Sequence, residues 1–142
     1  MLSLLLIIME KELIKFENTK TSIPFITVKH NNIEFKLLVD TGASISLIDS
    51  NVLDLLLHTK TEDKTEGIIY ANNDTEDNIP IVEIPINIGG VDFVEKFNAV
   101  NLQNMTQQIK ENYDITIRGL LGSEFMCRNQ FIIDFKEKVI KH

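Results

Sequence analysis

Leu37-Leu38-Val39-Asp40-Thr41-Gly42-Ala43-Ser44 is the stretch on which the fold turns. Three aliphatics in series read as a strand buried on both faces, because a half-exposed strand would alternate apolar with polar residues. An acid at the end of such a strand is poorly solvated unless hydrogen bonds or another charge hold it, and those conditions perturb a carboxylate's proton affinity. Gly42 lets the chain turn sharply and bring a backbone N–H toward that carboxylate. Thr41 adds a short, stiff hydroxyl able to lock the turn. Taken alone, Asp-Thr-Gly is also an ordinary turn, and so short a match carries a high false-positive risk.

The surroundings change that weighting. The loop sits within Phe35-Lys36-Leu37-Leu38-Val39-Asp40-Thr41-Gly42-Ala43-Ser44-Ile45-Ser46-Leu47-Ile48. Far downstream comes Ile117-Arg118-Gly119-Leu120-Leu121-Gly122-Ser123-Glu124-Phe125-Met126, and then Phe131-Ile132-Ile133-Asp134-Phe135. The first segment resembles the active-site strand and loop of aspartic proteases, the retropepsin-like (retroviral-type) subfamily in particular. The second is similar to the hydrophobic-hydrophobic-Gly segment before that family's short C-terminal helix, and the third to its closing strand. Matches in the family's order specify more than either motif alone.

The resemblance implies a mainly-β fold: a closed or partly open barrel with two or three short helices over residues 23–140, behind an apolar segment and lead-in at 1–22. It implies an aspartic endopeptidase, a hydrolase with Asp40 as the catalytic acid and no cofactor. This chemistry needs two carboxylates side by side, and the chain holds one Asp-Thr-Gly. The second would come from another copy across the axis of a two-fold homodimer. By the same resemblance, Thr41 hydroxyls would brace the two loops, Gly42 N–H would steady the carboxylate, and Ala43 and Ser44 would lie beneath it. Leu120, Leu121 and Gly122 would pack beside the loop, with the leucines near substrate pockets. Ile68 and Ile69 fall where the family carries a flap over its peptide or protein substrate, so both are candidate substrate contacts, with residues 72–78 as the flap tip; an ordinary surface hairpin fits the same interval equally well. A different class fits the same fold: a non-catalytic peptide-binding or dimerisation module with Asp40 as a relic. The intact Asp40-Thr41-Gly42-Ala43 favours the enzyme, since a pure binding domain has no chemical need for the acid.

Composition removes several other functions. A chain of 142 residues is one domain by length and can bury a real core. Its apolar fraction of 44% and charged fraction of 25% are those of an ordinary globular protein. A net charge of −7 and no Lys/Arg cluster argue against nucleic acid as a partner, because phosphate binding needs a basic stripe. The one cysteine, Cys127, cannot form an internal disulfide, and among apolar neighbours in a short helix it reads as a buried structural thiol. His30, His58 and His142 have no metal-ligand spacing, so zinc has no support. Ser44 and Ser46 lack a nearby histidine, which removes a serine-triad reading.

Met1 to Met9 is nearly all apolar, too short to span a bilayer and without the basic region or cleavage site of a secretory signal. It reads as a packed or dimer-forming first strand, as sequence upstream of a natural start at Met9, or as a weak membrane-surface anchor. Cytoplasmic location is the default expectation, with peripheral membrane or envelope attachment through this segment as the alternative.

Along the rest, Phe25 to Val28 and Ile33 to Val39 read as strands around a His30-Asn31-Asn32 turn. Ser50 is a candidate cap for a short helix to Leu57 whose polar face carries Asp49 and Asp54, and Thr59 to Thr65 reads as a loop. Ile81 to Ile88 reads as a buried strand, with Pro80 and Pro85 at a start, bulge or edge. Gly89-Gly90 turns the chain into a strand from Val91 to Leu102. Gln103 to Tyr113 is polar, either a helix or a loose excursion. Ser123 is a candidate cap for a helix over Glu124 to Arg128. Asp134 reads as an outward-facing strand acid, and Val139-Ile140 as the last strand.

Overall fold

A computed structural model describes residues 11–17, 20–65, 68–69, 75–76 and 78–142. The Met1 to Met9 segment and most of the 72–78 tip lie outside the described residues. In chain order the strands are β1 (Glu12–Lys15), β2 (Phe25–His30), β3 (Ile33–Val39), β4 (Ser46–Asp49), β5 (Thr59–Thr65), β6 (Ile68–Ile69), β7 (Thr75–Glu76), β8 (Ile79–Ile88), β9 (Val91–Val100), β10 (Ile117–Leu121), β11 (Ile132–Asp134) and β12 (Val139–Lys141). A 3-10 helix, Ser50–Leu55, follows β4; α1 (Gln103–Tyr113) and α2 (Ser123–Arg128) flank β10. This is the mainly-β architecture with short helices that the sequence implies.

The main sheet runs β2-β3-β10-β4-β9-β8, and β8 pairs back to β2 at Asn87↔Lys29. Six strands therefore close into a barrel, which removes the unpaired edges of an open sheet. β5 adds to the other end of β8, β1-β12-β11 form a separate antiparallel sheet, and β6 with β7 make a small hairpin. Inside the barrel, alternate residues of each strand point inward, as the two-residue period requires. Leu37 and Val39 of β3, Val82, Ile84, Ile86 and Ile88 of β8, and Phe97 of β9 share one core with Phe125 and Met126 of α2. Each such side chain contributes about 1.5–3 kcal/mol by burial. Leu38 points the other way, into two smaller clusters that seat α1 through Met105, Ile109 and Tyr113.

Several elements differ from the sequence expectation. Thr59–Thr65 is a strand, paired with the first half of β8; its polar composition suits the outermost position it occupies. The turn between β2 and β3 is Asn31-Asn32, with Asn31 at φ 54°, and His30 is no turn residue but 3% exposed. β5 leaves β8 at Glu83 and β2 joins it at Asn87, so Pro85 occupies the gap between them, where its missing N–H has no ladder to serve. His30 fills that gap: Nδ1–H donates to the Pro85 carbonyl at 2.7 Å, and Nε2 accepts from Leu57 N–H at 2.8 Å. Both partners have a single polarity, which determines the tautomer.

Asp49, not Ser50, caps the 3-10 helix. Its buried carboxylate accepts from Asn51 N–H at 3.1 Å and from Leu102 N–H at 3.2 Å, tying the end of β4 to the segment after β9. Gln103–Tyr113 is a helix, closed by Asp114 in the left-handed conformation. Cys127 is exposed, because Phe125 and Met126 take the inward face of the short α2. Asp134 alternates with Ile133, which packs against the core, and so faces outward as expected; its half-buried carboxylate accepts Glu137 N–H at 2.9 Å and pairs with Lys141 at 3.0 Å, and these hold its carboxyl below the usual range.

Candidate active site

The site is made by the way the chain passes around β10. That strand pairs parallel with β3 (Leu120↔Leu38, Leu121↔Val39) and antiparallel with β4 (Gly119↔Ile48, Leu120↔Leu47). β3 and β4 thus lie one strand apart, about 9.6 Å at the usual spacing. The residues joining them, Asp40 to Ile45, must arch over the C-terminal end of β10. β10 can enter so tightly because of Gly119: a Cβ there would lie 2.2 Å from the Leu47 carbonyl oxygen.

The arch is fastened at each step. Val39 N–H donates to Pro24 O at 2.9 Å, and Asp40 N–H to Leu121 O at 2.9 Å. Gly42 N–H donates to Asp40 Oδ1 at 2.9 Å, and Ala43 N–H to Asp40 O at 3.2 Å. A Cβ on Gly42 would meet that same oxygen at 3.3 Å. The first turn of α2 then holds the far side of the arch. Ser123 N–H donates to Ala43 O at 2.7 Å and Glu124 N–H to Ser44 O at 3.1 Å. No side-chain cap bond is made by Ser123; the residue before the helix is Gly122. Asp40 is left half-buried, with its carboxylate oriented from within its own loop, while Thr41, Gly42 and Ser44 are exposed and Ala43 is half-buried.

The second motif meets this loop mainly through its backbone. Leu121 lies wholly in the main core and offers the site its carbonyl, not its side chain. Leu120 is 2% exposed, packed with Leu47, Ile79, Val100 and Leu102, with Ala43 and Ile45 beside them. Gly122 abuts Ile45: a Cβ there would lie 2.5 Å from the Ile45 carbonyl carbon. Ile68 and Ile69 form β6, paired with Glu76 and Thr75 of β7, so a hairpin stands in the interval expected for a flap.

One carboxylate of the site region went unread in the sequence. Glu95 is 5% exposed in β9, on the face shared with Phe93, Phe97 and Ala99. It accepts from Ser46 Oγ at 2.8 Å, Lys96 N–H at 2.8 Å and Arg128 at 2.8 Å. An acid on the apolar face of an otherwise alternating strand was the available signal. Among the described residues, no group of three or more His, Cys, Asp or Glu side chains gathers as a metal site.

Comparison with known proteins agrees with this geometry. Residues 26–128, well over half the chain, match the family model described as "gag-polyprotein putative aspartyl protease". Among solved structures, a retropepsin-like aspartic protease from Rickettsia conorii superposes with a TM-score of 0.56 at 24% identity, covering 93% of this chain and 90% of that one. The retroviral protease-like domain of Ddi1 from Leishmania major superposes at 0.51 and 16% identity, covering 92% and 88%. At those identities the likeness is one of fold. Comparison with curated proteins gives no match.

Proposed function

We propose, from the premise that the chain belongs to the gag-polyprotein aspartyl protease family, that it is an aspartic endopeptidase that works as a homodimer. Asp40 of each copy meets the other near the two-fold axis. The observation that carries this is the state of Asp40: a half-buried carboxylate at the end of a buried strand, oriented by Gly42 N–H, in the only Asp-Thr-Gly loop of the chain. The Gly42 bond needs only a side-chain acceptor, which an asparagine would also offer, so the loop has no structural need for the negative charge, and a symmetric dimer brings two identical loops face to face.

Two carboxylates about 3 Å apart do not both ionise readily, so the pair holds one proton over an acidic-to-neutral range. The proton belongs to the pair, not to either copy. The ionised Asp40 takes a proton from a water held between the two acids as the water oxygen bonds to the scissile carbonyl carbon. The protonated Asp40 gives its proton to the carbonyl oxygen, leaving a neutral tetrahedral diol and an acid pair that again holds one proton. Proton transfer to the amide nitrogen breaks the C–N bond and releases acid and amine. No covalent enzyme intermediate forms, and the β6–β7 hairpin is the element suited to close over the substrate.

The test is cleavage of denatured protein substrates between about pH 4 and 7.5, wild type beside Asp40→Asn, with dimer content measured by sedimentation. Activity lost in Asp40→Asn with the dimer intact supports the reading. Undiminished activity in that variant sinks it, and an inactive wild-type dimer turns the assignment to a binding module of the same fold.

A further inference from the structure

Two strands, β4 and β10, lie between the strand of Glu95 and the end of β3 that carries Asp40, yet hydrogen bonds joined through one peptide unit connect them. The carboxylate accepts the Ser46 hydroxyl at 2.8 Å on Oε2. The same Ser46 oxygen accepts Gly122 N–H at 3.0 Å. That N–H and the Leu121 carbonyl belong to one peptide unit, and the Leu121 carbonyl accepts Asp40 N–H at 2.9 Å. A single planar group is thus held on one side by the Asp40 backbone and on the other by Ser46. Because a peptide is rigid, rotating its N–H away from Ser46 rotates its C=O away from Asp40.

We propose that Glu95 and Ser46 are positioning residues for the catalytic acid, acting through the Leu121–Gly122 peptide and braced from outside by Arg128. The proposal rests on the aspartic-peptidase reading of Asp40. The chemistry of each member fits its place. Ser46 is 2% exposed, and a hydroxyl there both donates and accepts, which neither alanine nor valine could do. Its donor direction is set by Glu95, an acceptor when ionised, so its lone pair is left facing Gly122 N–H. Glu95 in turn has one oxygen on Ser46 and the other on Lys96 N–H and the Arg128 guanidinium. Buried charge of this kind is costly unless paired and hydrogen-bonded, so a carboxylate here implies a task that an apolar residue would not perform. Arg128 ends α2, whose first N–H groups hold Ala43 and Ser44. The helix is therefore fastened at one end to the active-site arch and at the other to Glu95.

The geometry required of a reacting pair is narrow, and displacement by about 1 Å can cost a hundredfold in rate. Ser46→Ala and Glu95→Gln in the full-length chain are each expected to lower kcat between about tenfold and a hundredfold with KM little changed. Ser46→Thr, which keeps the hydroxyl, restores most of kcat. A second readout needs no activity: hydrogen exchange at the Asp40 and Gly122 amides, followed by NMR, accelerates in Ser46→Ala and Glu95→Gln but not in Ser46→Thr. Unchanged Asp40 amide protection in Ser46→Ala and Glu95→Gln overturns the proposal whether or not the wild type cleaves peptides. So does a loss expressed in KM alone, or one that Ser46→Thr shares in full. If Ser46→Ala fails to fold, the near-isosteric Glu95→Gln carries the same two readouts. An inactive wild type, by contrast, defeats the peptidase reading and leaves the exchange experiment to judge the relay.

Discussion

Replacing Gly122 with alanine isolates how tightly the active-site arch is seated. Gly122 has φ −87° and ψ 172°, ordinary extended backbone that alanine adopts freely, so the glycine is there for space rather than for conformation. The added Cβ would lie 2.5 Å from the carbonyl carbon and oxygen of Ile45 and 2.8 Å from its nitrogen. All three are backbone atoms, so no side-chain rotation relieves the contact. Restoring a normal separation of about 3.5 Å requires Ile45 or the β10–α2 junction to move by roughly 1 Å. Overpacking of this kind costs about 1–3 kcal/mol, against which the reduced entropy of the unfolded chain returns at most about 1 kcal/mol. For 142 residues the unfolding entropy near Tm is about 0.3 kcal/mol/K, so each kcal/mol lowers Tm by about 3 °C. Three backbone contacts put the cost in the upper part of that range, so about 1–2 kcal/mol remains after the entropy return, and the expected fall is about 3–6 °C by circular dichroism or calorimetry.

Gly42→Ala is the control that makes the result specific. Gly42 is exposed, and the one atom its Cβ would approach is Asp40 Oδ1, at 3.3 Å. Its Tm is expected to stay within about 2 °C of wild type, because a carboxylate at a half-exposed position can yield by a few tenths of an ångström. That same small shift moves the Asp40 oxygen that the proposed mechanism uses, so kcat is expected to fall where Tm does not. A Gly122→Ala protein that melts with the wild type refutes the packing argument. A Gly42→Ala protein that loses as much stability as Gly122→Ala refutes the distinction between scaffold and site.

Three further outcomes follow from particular contacts. His30→Leu strands Leu57 N–H and the Pro85 carbonyl, each costing about 1–3 kcal/mol, so urea unfolding should show a loss of about 2–6 kcal/mol; a loss below about 1 kcal/mol refutes the gap-filling role. Asp134 titrates lower in the folded chain than in the unfolded one, chiefly through the Glu137 N–H and then through Lys141. Its contribution to stability is therefore complete above the ordinary carboxylate value near pH 4 and disappears as pH falls through the folded value; Asp134→Asn should flatten that part of a stability–pH curve, and an unaltered slope counts against it. Adding an equal amount of Asp40→Asn chain to a fixed amount of wild type should cut peptidase activity to about half, since random pairing leaves about a quarter of dimers with two acids; full activity retained would mean that one Asp40 suffices.

How much of this could be read from the amino acids depends on the span over which each feature acts. Strands β3 and β8, the Asn31-Asn32 turn and the Gly89-Gly90 turn are written in neighbouring residues, and aliphatic spacing or backbone permissiveness suffices to find them. The Asp40 loop is equally local, since the bond from Gly42 N–H reaches back two residues. What escaped is polar and distant. His30 makes sense only with Pro85, fifty-five residues on, and Asp49 only with Leu102, fifty-three residues on. Glu95 needs both Ser46 and Arg128. Strand β5 reads as a loop because an outermost strand buries little, and its pairing with β8 is a property of the backbone. Cys127 was misplaced for a related reason: in a six-residue helix one turn decides burial, and apolar neighbours do not say which side faces in.

The two motifs that the sequence separates by some eighty positions are, in space, one object. Gly119-Leu120-Leu121-Gly122 reads as a pocket motif when its leucines are taken as the active parts. The structure puts the weight on the glycines and on the main chain. Gly119 and Gly122 are small because Leu47 and Ile45, on the same flanking stretch, press against them within 2.2 and 2.5 Å of where a Cβ would be. Leu120 and Leu121 between them anchor β10 in two different hydrophobic clusters, so the strand cannot slide. With β10 thus immobilised, the Leu121 carbonyl becomes a stationary acceptor for Asp40 N–H, and the acid inherits the rigidity of the barrel. For the proposed homodimer the consequence is direct: each loop would be stiff before pairing, so bringing two such acids together would cost little further ordering.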